Sequence, residues 1–362
     1  MVVRIVADDL TGALDAAAPF AAALGPFPVF WDRAPRSGSY ALDTETRERN
    51  LADRLSVRHL HGAELAFKKI DSLLRGRTAY EIAICLESGR FRSAIIAPAF
   101  PAQERVTREG QQYWRLAPGE AWQPVQGDLL ARLRSSVSVG HARSPDAIAG
   151  RGFFVCDAET DADLGAVVAA GRRLAKPILW CGSAGLARAL AGPARSEETF
   201  MPEAPLLMLI GSHHAVSRTQ QDALEAHRPG LVTPLASTER AAIEAAVATV
   251  ADRIGRGASS ALAVALPTGS AEAARTVLAT TFALIAERVP RPGSLLVTGG
   301  ETLHGLLQAL GAASLLATGE VMPGVPHARI TGGPWHDLGV VSKSGGFGAP
   351  DLLIRLAESV MP

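Results

Sequence analysis

Hydrophobic and polar positions fall along this chain in a recurring unit: a short aliphatic run, a few polar residues, then a longer stretch with helical spacing. Val2 to Ala7 ends in two adjacent carboxylates, Asp8 and Asp9, and a helix is predicted from Ala13 to Leu24, closed by Gly25-Pro26. Pro28 to Trp31 and Tyr40 to Asp43 are further predicted strands, the latter running into Thr44-Glu45-Thr46-Arg47. Leu65 to Ile70 repeats the design with Lys69, Asp71, Ser72 and Arg75 around its end, and Ser93–Ala97, Phe153–Cys156 and Pro177–Cys181 are buried-type runs. A proline- and charge-rich segment, Pro193 to Pro205, breaks the pattern and predicts a linker. Beyond it the unit returns at Leu206–Ile210, Ala261–Leu266, Ser294–Thr298 and Val340–Val341, with helices predicted from Ser217 towards His227 and over Leu303–Leu310. Strands alternating with helical segments predict an α/β protein of two domains, 1–200 and 204–362, each a mainly parallel sheet covered by helices.

A chain of 362 residues is long enough for two cores. Lys plus Arg and Asp plus Glu are both 36, so there is no basic excess of the kind that nucleic acid or an acidic membrane selects. Asp8, Asp9 and Asp15 interrupt the apolar N-terminal stretch, which excludes the uncharged core of an export signal. No apolar run is long enough to cross a bilayer. Cys85, Cys156 and Cys181 lack metal-ligand spacing and read as reduced, buried thiols, so a cytoplasmic location is expected.

Ligands of open α/β sheets sit beyond the carboxyl ends of strands, where the polar residues of this chain gather. In the first half Arg47, Lys69 and Arg75 suit a carboxylate or phosphate, and Asp8, Asp9 and Asp71 suit hydroxyls or a proton. Together they fit a small polyhydroxy acid. The plainer alternatives are interstrand ion pairs and, for Asp8 or Asp9, an N-cap. In the second half Gly211-Ser212, Pro267-Thr268-Gly269-Ser270 and Gly299-Gly300-Glu301-Thr302 are glycine-containing turns at strand ends, with Lys343 near the last strand. Such turns cradle phosphates, although tight α/β loops use glycine anyway. Neither a Walker A motif nor a dinucleotide fingerprint occurs. His213-His214 is expected on a strand, its side chains on opposite faces, and no metal site is expected.

With these motifs set out, the chain resembles the four-carbon acid sugar kinases. The matching pieces are Ala7-Asp8-Asp9-Leu10-Thr11-Gly12-Ala13, Asp43-Thr44-Glu45-Thr46-Arg47, Lys69-Ile70-Asp71-Ser72-Leu73-Leu74-Arg75-Gly76 and Ala97-Pro98-Ala99-Phe100-Pro101 in the first half, with Gly182-Ser183-Ala184-Gly185-Leu186-Ala187 closing it. Gly211-Ser212, Thr298-Gly299-Gly300-Glu301-Thr302, Pro323-Gly324-Val325-Pro326 and Lys343-Ser344-Gly345-Gly346-Phe347-Gly348 match in the second. The resemblance implies ATP- and Mg²⁺-dependent phosphorylation of the terminal hydroxyl of a threonate, erythronate or 3-oxo-tetronate in sugar-acid catabolism, with the active site in an interdomain cleft. It places the acid on Asp8, Asp9, Arg47, Lys69, Ile70, Asp71, Ser72 and Arg75, with Asp9, Lys69 and Asp71 catalytic. It places ATP on Ser212, Gly299, Gly300, Glu301, Thr302, Gly345 and Gly346. The expected partners are the sugar acid and ATP, with no nucleic acid and no membrane; a homodimer stays open. The alternative is a non-catalytic sugar-acid sensor on the same fold. Three departures lie near the expected sugar-acid loop and bear on substrate identity: Glu104-Arg105 replaces a Gly-Arg pair, the Trp122-Gln123-Pro124 segment is short and lacks an Asp-Pro, and Leu73 stands where threonine is common.

Overall fold

The N-terminal aliphatic run forms strand β1 (Val3–Ala7) and feeds straight into α1 (Leu10–Leu24), which starts earlier than its alanine spacing predicts because Asp9 caps it. Gly25, at φ +100°, ends that helix. The computed structural model describes residues 1–47, 57–193, 200–264 and 271–360, and the chain divides into two compact units, Met1–Glu197 and Glu198–Pro362. The predicted linker lies partly outside the described residues, at 194–199. Among the described residues no helix is long and apolar enough to cross a membrane.

In the first unit β1 and α1 are followed by β2 (Phe27–Phe30), β3 (Tyr40–Asp43), β4 (Leu65–Lys69), α2 (Thr78–Glu87) and β5 (Ser93–Ala97). A small antiparallel sheet interrupts the winding: β6 (Arg105–Arg108), β7 (Gln111–Trp114) and β8 (Gln123–Pro124). Then come α3 (Leu129–Arg134), β9 (Gly140–Ala142), β10 (Phe153–Cys156), α4 (Asp161–Gly171), β11 (Ile178–Gly182) and α5 (Ala184–Ala191). The main strands are all parallel, in the order β2-β3-β1-β4-β11-β5-β10-β9. Their aliphatic residues are buried on both faces, as a parallel sheet between helix layers requires. All three cysteines are free and buried in this unit.

The second unit runs β12 (Leu206–Ile210), α6 (Ala215–His227), β13 (Val232–Leu235), α7 (Arg240–Gly255), β14 (Ser260–Val264), α8 (Ala271–Arg288), β15 (Ser294–Thr298), α9 (Gly300–Ala309), β16 (Ser314–Met322), β17 (Val325–Thr331), β18 (Gly339–Lys343) and α10 (Leu352–Glu358). Its strands lie in the order β13-β14-β12-β15-β18-β17-β16, parallel from β13 to β18, with an antiparallel hairpin at the end. The hairpin turns at Gly324, whose φ of +81° suits glycine. The predicted turn Pro267-Thr268-Gly269-Ser270 lies outside the described residues.

Each sheet starts in the same manner. The chain places one strand two positions away, fills the gap, then crosses to the far side of the first strand. The winding therefore reverses between β1 and β4 in one unit and between β12 and β15 in the other. Loops leaving such a pair diverge and open a crevice at the carboxyl ends.

Candidate active site

At the β1–β4 reversal Asp8 and Asp9 leave β1, and Lys69 closes β4. Arg47, brought in by the turn after β3, reaches across them. Its Nε and Nη2 donate to the two oxygens of Asp8 at 2.8 and 2.7 Å, and its Nη1 lies 2.7 Å from Oδ2 of Asp9. Asp71 stands 3.9 Å from the same guanidinium. It is gripped in turn by Nε and Nη2 of Arg75, both at 2.8 Å, and by the N–H groups of Leu73 and Arg75.

Asp9 is also the cap of α1: its Oδ1 accepts from the Gly12 N–H at 2.9 Å and its Oδ2 from the Thr11 hydroxyl at 2.6 Å. The cap reading is realised, and the same carboxylate still belongs to the Arg47 cluster. Lys68 and Lys69, adjacent on a strand, face opposite ways. Lys68 pairs with Glu81 of α2 at 2.6 Å, away from water. Lys69 turns towards α1, its Nζ donating to the Ile70 carbonyl at 3.1 Å. A Cβ on Gly12 would stand 3.2 Å from that ammonium and collide with Oδ1 of Asp9, so only glycine admits both. Ile70 sends its side chain into the core, which leaves only its backbone to meet a ligand, and Ser72 is buried, its carbonyl accepting from Gln112 at 2.9 Å.

Charge divides these carboxyl groups into two kinds. Burial opposes ionisation of Asp8 and Asp71, but the cations prevail: Arg47, Lys68 and Lys69 draw Asp8 below the usual range, and Arg47, Arg75 and Lys69 hold Asp71 far below it. Asp43, at the end of β3, is held well above that range by burial and then by Asp9, Glu45 and Asp8, although it accepts the Glu45 N–H at 2.7 Å. Arg105 is buried at the start of β6, donates to the Gln103 carbonyl and stands in the field of Asp71; burial pulls its pKa to about 10. Neither Asp43 nor Arg105 stands out by composition or spacing. The signal available was position: Asp43 opens the segment that carries Arg47, and Arg105 belongs to a departure from the family pattern.

In the second unit three strand ends are tied together. The Gly211 N–H donates to the Thr298 carbonyl at 3.2 Å, and the Gly299 N–H to that of Lys343 at 3.1 Å. Gly299 has φ +105°, and α9 begins at once with Gly300, three residues before the helix predicted from Leu303. Gly300, Glu301 and Thr302 are therefore its first turn, whose N–H groups lack partners within the helix and carry its positive end. Thr302 packs its hydroxyl against Gly211, and Ser212 packs its own against Gly345; a Cβ on either glycine would collide with those oxygens. Ser217 of α6 donates to the Gly345 carbonyl at 2.8 Å. Gln220 donates to the carbonyls of Phe347, Gly348 and Ala349 at 3.1, 3.0 and 2.9 Å, which locks this loop to α6. His213-His214 is not on a strand: β12 stops at Ile210, and His214 caps α6, its Nδ1 accepting from the Val216 N–H at 3.2 Å. Such a cluster of rigid glycine turns at the start of a helix suits a phosphate chain.

Residues 3–130 and 125–190 match the family profile of a sugar-binding N-terminal domain, and residues 207–353 that of a nucleotide-binding C-terminal domain. A D-threonate kinase of Cupriavidus necator is 31% identical over 406 residues, covering 95% of this chain and 94% of its own. Another, from Bordetella bronchiseptica, is 32% identical over 397 residues, covering 99% and 97%. The chain belongs to the four-carbon acid sugar kinase family. As a member of that family it is a phosphotransferase with an alcohol acceptor, built from a sugar-binding and a nucleotide-binding domain. A crystal structure from Salmonella typhimurium LT2, provisionally assigned as a tRNA synthase, shares the kinase's fold with a TM-score of 0.73 over 99% of each chain; at 20% identity that likeness concerns the fold alone.

Proposed function

We propose that this kinase transfers the γ-phosphoryl group of ATP to the terminal hydroxyl of a four-carbon sugar acid, D-threonate first among them. The observation that supports this most is the Arg47–Asp8–Asp9–Asp71 cluster with Lys69 and Arg75 at the reversal of the N-terminal sheet. It offers cations for a carboxylate and carboxylates for hydroxyls in a chain about a third identical to D-threonate kinases. Lys69 and Arg75 hold the acid's carboxylate or steady the migrating phosphoryl group, while the glycine turns at Ser212, Gly299–Thr302 and Gly345–Gly346 hold the phosphates of ATP.

Phosphoryl transfer asks a protein chiefly to align donor and acceptor and to offset charge. The hydroxyl oxygen forms the new bond to phosphorus as ADP leaves, and its proton passes to a carboxylate. Asp9 is the best placed for that proton. Asp8 and Asp71 are held as weak bases by their cations, and Asp9 is the most open of the three, with 17% of its side chain exposed against 5% and 8%. Among the described residues no three His, Cys, Asp or Glu side chains converge as a metal cage. The hydroxyls of Ser212 and Thr302, hard oxygen donors beside the phosphate turns, would hold Mg²⁺. When bound it would neutralise phosphate charge.

An ADP-release assay with Mg-ATP and a panel of D- and L-threonate, D- and L-erythronate and 3-oxo-tetronates tests the proposal. Release is expected with D-threonate. Silence across the panel from protein that still binds ATP would remove the kinase assignment for these acids.

A further inference from the structure

Lys343 ends β18, paired in register with Thr298 of β15, so its backbone adjoins the turn at which α9 begins. Its side chain is 1% exposed. The ammonium has one hydrogen-bond partner among the described residues, the Ser217 hydroxyl at 3.5 Å, and that hydroxyl in turn donates to the Gly345 carbonyl. Among the described residues no carboxylate pairs with it. Titratable and charged side chains on the elements beside it are Arg218, Asp222, Glu225 and His227 of α6 with its cap His214, Glu301 and His304 of α9, and His327 and Arg329 of β17. None of them sets its ionisation, because burial alone draws the amine down to about 7.

An ammonium buried without a counter-charge is costly, and structural lysines are normally paired, as Lys68 is with Glu81. Here the unpaired one lies at the root of the turns formed by Gly211, Gly299 and Gly345, where α9 begins. We propose that Lys343 is the counter-charge for the nucleotide's phosphates: the bound phosphate chain supplies the partner its ammonium lacks. This rests on the reading that ATP occupies these turns.

Linkage gives the inference a readout that mere scaffolding would not produce. Half-protonated at pH 7 before binding and fully protonated after, Lys343 contributes an uptake of about half a proton per nucleotide. Calorimetric titration with Mg-ATP at pH 7, in buffers of different ionisation enthalpy, measures it. The wild type is expected to take up about half a proton more than Lys343→Met, which should bind about tenfold to hundredfold more weakly. Free of nucleotide, Lys343→Met should melt no lower than the wild type, since an isolated buried charge has been replaced by an apolar chain. Lys343→Arg, which keeps its charge at any pH, should recover part of the affinity without the proton uptake, and it carries the test if the methionine variant does not fold. Equal affinity and equal proton uptake in the wild type and Lys343→Met would overturn the proposal while leaving the nucleotide site in place. A wild type that gives no heat with Mg-ATP would instead overturn the nucleotide reading itself.

Discussion

Asp9 holds three partners at once, the Gly12 N–H, the Thr11 hydroxyl and Arg47, and substitution by asparagine separates their roles. Asn caps a helix about as well as Asp, so α1 should keep its start. What is lost is the negative charge and the proton acceptor. Asp9→Asn is expected to lower kcat by about a hundredfold to ten-thousandfold, with Mg-ATP affinity and the melting temperature little changed. Steady-state kinetics beside a thermal melt checks this, and a fully active variant would remove Asp9 from the mechanism. Single residues also show where legibility ends. Asp8, Asp9, Arg47, Lys69 and Asp71 stand out because polar residues interrupt apolar runs at strand ends. Asp43 and Arg105 matter because they are buried next to charge, and Lys343, legible in the sequence only as a cation near the last strand, because it is buried beside the turns; burial is a property of the packed chain. Glu104 is a similar case: it sits at φ +58°, a left-handed conformation costing about 1–2 kcal/mol for a non-glycine residue. That explains structurally why glycine would suit the position, and Arg115 at 2.5 Å holds the glutamate there.

At the level of elements the aliphatic runs were legible and the polar strands were not. β1, β4, β5, β12 and β15 are short apolar stretches that parallel sheets bury on both faces. β6 and β7 read Arg-Val-Thr-Arg and Gln-Gln-Tyr-Trp, with no apolar alternation to reveal them. They are held by a turn in which Glu109 and Gly110 both have positive φ and by the buried Gln112, which accepts from Thr107 and donates to the Ser72 carbonyl. The true start of α9 was hidden for another reason: glycine is a poor helix former, so Gly300 looks like loop, yet it is the first helical residue. That start depends on Gly299. Gly299→Ala forces a side chain onto φ +105° and is expected to cost about 1–2 kcal/mol, moving the first turn of α9. Titrations of the intact protein should then show weakened Mg-ATP binding with sugar-acid binding unchanged. Undiminished ATP binding would exclude this turn from the nucleotide site.

For the molecule as a whole, the division into two α/β halves was readable from the recurring unit and the proline-rich break at Pro193 to Pro205, whereas the response to acid depends on packing. His327 of β17 lies in the second unit, its ring stacked on Phe200 at 4.8 Å and its Nδ1 2.7 Å from the Thr318 hydroxyl. Burial, helped by Arg329, lowers its pKa to about 4. Between pH 4 and an unfolded value of about 6.5 the unfolded chain binds more protons, so stability is complete above that window and falls as the pH drops through it. Thermal melts from pH 7 to pH 4 should show a smaller acid loss in His327→Gln than in the wild type; parallel curves would exclude this histidine as the cause. The shared winding of the two sheets bears also on how the chain is made. β1 and β12 each emerge from the ribosome ahead of the strands that flank them, and β15 must wait for β18 at Gly339–Lys343 before its second edge is covered. Parallel pairing across long crossovers is slow and leaves apolar edges open meanwhile. Translation halted short of Gly339 would strand Leu295, Leu296 and Val297 on a bare sheet edge, the kind of surface that chaperones and proteases recognise.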